Sequence, residues 1–88
     1  VEKVIRDSLV NSRGKNATTL IGQYCRDTVI EELEEMLDEM ADIVFLAAKE
    51  ISEFKLAERA AEKISKSNKY DNESKQAASA YLEEVAKM

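Results

Sequence analysis

Histidine, proline and tryptophan are missing from this chain, and cysteine occurs once and glycine twice. Without histidine there is no imidazole general base, no histidine phosphorelay and no His-ligated metal site. A single cysteine, Cys25, excludes an internal disulfide, and with no histidine to activate it we read it as a small buried hydrophobe. With two Phe and three Tyr, the chain has too few large flat side chains to furnish several half-buried strands. Its longest apolar run, Ile43 to Ala48, falls far short of the roughly 20 residues a membrane-spanning helix needs. No basic segment followed by an apolar stretch marks a secretory signal, so a cytoplasmic protein is expected and two Asn-x-Ser/Thr matches are read as chance.

What remains favours helices. Ala, Leu, Glu and Lys dominate, and each keeps most of its rotamer freedom in a helix. The 44% hydrophobic fraction is ordinary for a folded domain. An 88-residue chain forms one domain at most, with a marginal core. The expected fold is all-α: a small bundle of four or five helices, completed by self-association.

Val1, Val4, Ile5 and Leu9 fall on one face of a first helix over residues 2–11. It ends in the polar stretch 11–16, where Asn16 is placed to cap the next helix. From Ala17 to about Ser67 only Gly22 punctuates the pattern, so breaks must be read from changes of apolar phase. Leu20 and Tyr24 face away from the later stripe of Val29, Leu33, Met36, Met40, Ile43 and Ala47. That puts a break near Asp27, with Thr28 and Glu31 as a capping box. A second slip falls at Glu50, after which Ile51, Phe54, Ala57, Ala60, Ala61 and Ile64 resume. Residues 67–72 form a loop. Asp71 or Asn72 caps a last helix that buries Ala78, Tyr81, Leu82 and Val85.

Charge is unevenly spread. Between Asp27 and Asp42 there are eight acidic residues and no basic one, whereas residues 1–26 balance to +3 and residues 43–88 to zero. Glu31, Glu35, Asp38 and Asp42 line one side of the helix wheel and form the candidate acidic docking face. Its like charges at i, i+4 cost on the order of 1–2 kcal/mol in all. A basic surface meeting this face would offset that repulsion; the chain's own Arg6, Arg13, Lys15 and Arg26, or those of a neighbour, could supply it. The run Ile43–Ala48 is apolar all round, as for a helix covered on every side. This marks Phe45, Leu46, Ala47, Ala48, Val44 and Met40 as a candidate interface in a homodimer or with a basic protein partner.

The EExxE pattern of residues 31–35 and the ExxD pattern of 39–42 allow another reading. Asp38 to Ala47 resembles the second acidic motif of the all-α, MazG-like nucleotide pyrophosphohydrolases. The resemblance implies Mg²⁺ on Glu31, Glu35, Glu39 and Asp42, hard oxygen ligands that suit this ion. The sequence pattern puts both motifs on a single helix, so a dimer would have to gather the carboxylates. Gly14-Lys15 lacks the rest of a phosphate-binding loop. An acidic chain without an aromatic-rich basic patch makes a poor nucleic-acid binder, although residues 1–26 could touch phosphates in a small regulator.

Overall fold

A computed structural model describes residues 2–87, apart from the side chains of Glu2 and Lys3. The chain order is α1 (Glu2–Ser12), α2 (Ala17–Gln23), α3 (Arg26–Met36), α4 (Ala41–Glu50), α5 (Phe54–Lys66) and α6 (Asn72–Lys87), with no strand among the described residues. The all-α expectation is met, but with six helices in place of four or five. Their Cα radius of gyration, 12.3 Å, is that of a compact domain of this length. No described helix is long and apolar enough to cross a membrane.

The additional break lies at residues 37–40, inside the stretch that periodicity reads as one helix. No glycine or proline marks it. Tertiary contacts hold it open: Leu37 turns into the core, the Tyr70 hydroxyl accepts the Ala41 N–H at the start of α4, and the Lys69 ammonium donates to the Glu39 carbonyl. These bonds satisfy backbone groups that the interrupted helix would otherwise leave unpaired. The break near Asp27 is present, with α3 beginning at Arg26, and the slip at Glu50 coincides with the end of α4.

Two of the expected caps differ. Cys25, not Thr28, precedes α3, and the Thr28 hydroxyl pairs with the Cys25 sulfur at 2.7 Å. Asn16 makes no side-chain cap to α2 because its carbonyl oxygen is engaged by Ser12. Asp71 does cap α6, accepting the Ser74 N–H at 2.9 Å. That bond holds the Asp71 carboxyl below its ordinary pKa.

α4 is the centre of the packing. Six of its ten residues are buried: Ala41, Ile43, Val44, Phe45, Ala47 and Ala48. The alanines of α5, together with Leu56 and Ile64, form a buried stripe, and small side chains there let neighbouring backbones approach closely. Along α1, Ile5 and Leu9 are buried while Val4 is exposed; Val1 lies outside the described residues. Only Ala78 of α6 is fully buried, with Tyr81, Leu82 and Val85 half-covered.

α1 and α4 end alike. The Gly14 N–H reaches back to the Leu9 carbonyl and the Glu53 N–H to the Ala48 carbonyl, leaving Arg13 (φ 56°) and Ser52 (φ 60°) in the left-handed region where glycine fits best. Gly14 itself (φ 85°) is pressed against α4. A Cβ there would lie 2.8 Å from the Ala47 nitrogen and 3.0 Å from the Ile43 carbonyl oxygen.

Candidate functional site

The break at residues 37–40 divides the acidic segment. Glu31 and Glu35 lie on α3, Asp38 and Glu39 in the turn, and Asp42 at the start of α4. The chain's own cations meet part of this charge. Arg6 donates to Glu32 at 2.7 Å, Arg13 approaches Asp42 at 3.9 Å, and Lys63 reaches Asp38 at 2.6 Å. The Lys63 hydrogen bond and charge, with Arg59 nearby, hold the Asp38 carboxyl below its ordinary pKa. Asp27, Glu31, Glu34, Glu35 and Glu39 are exposed and have no ion pair among the described residues. The acidic face is therefore a solvent-facing ridge of α3 and the following turn. Asp42 is drawn away from it toward Arg13.

Glu32 was not singled out by its charge. It follows Val29 by three residues and precedes Met36 by four, so it shares the helix face those two bury, and it is itself 4% exposed. Its wheel position was the available signal. A carboxylate on an apolar stripe needs a partner, and Arg6 is that partner.

The apolar residues resolve differently from expectation. Phe45 is only 2% exposed within its own chain, and Val44, Ala47 and Ala48 are fully buried. The cover missed in the sequence reading is α6. The Tyr81 ring meets the Phe45 ring edge-on at 5.3 Å, with the Lys49 ammonium 5.0 Å from the Phe45 centroid. Phe45, Val44, Ala47 and Ala48 thus belong to the monomer's core, and no second subunit is needed to cover them. Leu46 stays 42% exposed, and Met40 is half-buried. Desolvation raises the Tyr81 phenol pKa, assisted by Glu58 and Glu84.

Cys25 also departs from expectation. It is exposed just before α3, and the Thr28 hydroxyl bonded to it lowers its thiol pKa.

The break at residues 37–40 separates the two acidic motifs: EExxE lies on α3, whereas ExxD starts in the turn and ends at Asp42 in the first turn of α4. Yet Glu31, Glu35, Glu39 and Asp42 do not converge: among the described residues no three Asp, Glu or Cys side chains gather in a way that could hold a metal ion. A hard cation asks for several oxygen ligands at once. The donor set in one chain does not fit Mg²⁺.

A mixed-charge cleft opens beside Asp42. Its volume is about 370 Å³, and its walls come from distant parts of the chain, with Ile64 of α5 and Asp71 among them. The α1–α2 turn contributes Arg13 and Lys15, α4 contributes Asp42, Phe45 and Leu46, and the start of α6 contributes Glu73, Ser74 and Ala77. Sequence reading missed it because these residues meet only once α6 folds back along α5. Comparison of the chain with protein-family models, curated proteins and solved structures finds no match.

Proposed function

We propose that the chain is a non-enzymatic helical interaction protein, an adaptor, regulator or assembly subunit that docks on a basic surface through the acidic ridge of α3. The observation that carries this reading is the set of five exposed carboxylates, Asp27, Glu31, Glu34, Glu35 and Glu39, that have no ion pair among the described residues. Burial elsewhere has not been arranged to relieve their mutual repulsion, and a cationic partner would relieve it.

A second copy of the chain is the partner this reading names, making a homodimer. Along α5, Lys55, Arg59, Lys63 and Lys66 are all exposed at spacings of four, four and three. Asp27, Glu31, Glu35 and Asp38 repeat those spacings along α3 and into the turn. Residues so spaced share one helix face, so the two stripes are complementary in sign and pitch. Asp38 pairs with Lys63 within the chain; the other members of both stripes have no ion pair among the described residues. Phosphate backbones carry the wrong sign for the α3 ridge.

Sedimentation velocity tests the reading at tens of micromolar, with dissociation constants in that range expected of a charge-led contact. The parent should be dimeric at low salt and monomeric at high salt, because exposed pairs are screened. Glu31→Lys with Glu35→Lys, or Lys55→Glu with Arg59→Glu, should abolish the dimer; mixing the two double variants should restore it. A parent that is monomeric at every salt concentration excludes self-association. For the enzymatic alternative, a melting temperature raised by Mg²⁺ beyond matched ionic strength, with nucleotide cleavage, would displace the docking reading.

A further inference from the structure

We propose that the cleft between the α1–α2 turn, α4 and α6 is a binding site for a zwitterionic small molecule with an apolar body, of the class of free α-amino acids with apolar side chains. Its volume, about 370 Å³, lies at the lower end of the range for small-ligand sites. Its lining is sorted by chemistry. Leu46 and Ala77 supply accessible apolar surface over the buried Phe45 and Ile64, Arg13 and Lys15 supply positive charge, and Asp42, Asp71 and Glu73 negative charge.

Internal pairing determines which charges are left for a ligand. Asp71 gives one carboxylate oxygen to the Ser74 N–H at the start of α6, and Asp42 faces Arg13. Lys15 and Glu73 have no ion pair among the described residues. The Arg13 guanidinium is loosely held, 3.9 Å from Asp42 with its side chain 71% exposed, and so retains free donors. Lys15 and Glu73, a cation and a carboxylate on different walls, match a molecule that carries both charges. A ligand carboxylate would accept from Lys15 and Arg13, its ammonium would donate to Glu73, and its side chain would cover Leu46, which solvent now reaches. A purely anionic ligand would face three carboxylates, and a purely cationic one would face Arg13 and Lys15. Neither suits the lining as well.

Isothermal titration of the whole chain with L-leucine tests this, beside N-acetyl-L-leucine, which lacks the ammonium, and L-leucinamide, which lacks the carboxylate. Saturable one-to-one binding of leucine is expected, with each analogue weaker by about tenfold or more, as for loss of a charge-assisted hydrogen bond. Lys15→Ala and Glu73→Gln alter exposed side chains and should each weaken leucine by a similar factor, while Lys87→Ala should leave it unchanged. Absence of saturable heat overturns the proposal. So does equal binding of the three compounds, or unchanged affinity in both cleft variants. These results are independent of the oligomeric state at issue in the docking reading.

Discussion

α3 and α4 are cut from one stretch of sequence and have opposite fates. α4 buries six of its ten residues and packs chiefly on α5, with Tyr81 of α6 over Phe45. α3 buries Val29, Glu32, Leu33 and Met36 and turns its remaining carboxylates to solvent. Four residues of turn separate the helix that organises the core from the helix that presents charge. The difference teaches that an all-round apolar segment in a small chain need not signal a partner; a later helix can supply the missing wall. It also leaves α3, rather than α4, as the element on which a docking role rests.

Perturbing α4 gives the largest expected effect. Phe45→Ala should cost about 3–4 kcal/mol of unfolding free energy in urea, as for other large aromatic truncations in a core. Because the ring is covered within its own chain, the loss should not depend on protein concentration; a concentration-dependent loss would return Phe45 to an interface.

Gly14→Ala attacks α4 from outside. The added Cβ would strike backbone rather than a yielding side chain, and left-handed φ adds strain, so a loss of about 2 kcal/mol is expected in the same assay. Ser52→Gly should act in the opposite direction, raising stability by up to about 1 kcal/mol by relieving the left-handed backbone after α4. An unchanged or lower unfolding midpoint would refute that cap geometry.

The smallest effect belongs to the α3 side. The folded-state pKa of Asp38 is lowered by Lys63, so its contribution is present above the ordinary carboxylate pKa and disappears as pH falls through the lowered value. Urea midpoints measured from about pH 5 downward should therefore decline less steeply in Lys63→Met than in the parent. Identical slopes would mean that the exposed pair contributes nothing measurable.

Much of the fold was legible because apolar phase survives without punctuation. The break before α3, the slip at Glu50, the loop before α6 and a cap at Asp71 or Asn72 all follow from local pattern. The break at residues 37–40 does not. Its causes, Tyr70 and Lys69, lie some thirty residues away and act through side chains on backbone groups. The same limit hid the cover of Phe45, since Tyr81 is distant in sequence and only half-buried. The acidic ridge was readable as charge. Which members would be neutralised depended on where Arg6, Arg13 and Lys63 came to rest, and this no helical wheel contains.

The sparse seating of α6 has a consequence for how the molecule breathes. Its sixteen residues carry a single side chain wholly out of water, yet the same helix roofs Phe45 and forms one bank of the cleft. An excursion that peels away this one segment bares an aromatic ring and dissolves the pocket together, while the interior of α4 and α5 can stay assembled. Anything wedged between α4 and α6 therefore acts as a clasp, and its occupancy would be felt as slower opening along the whole of the last helix.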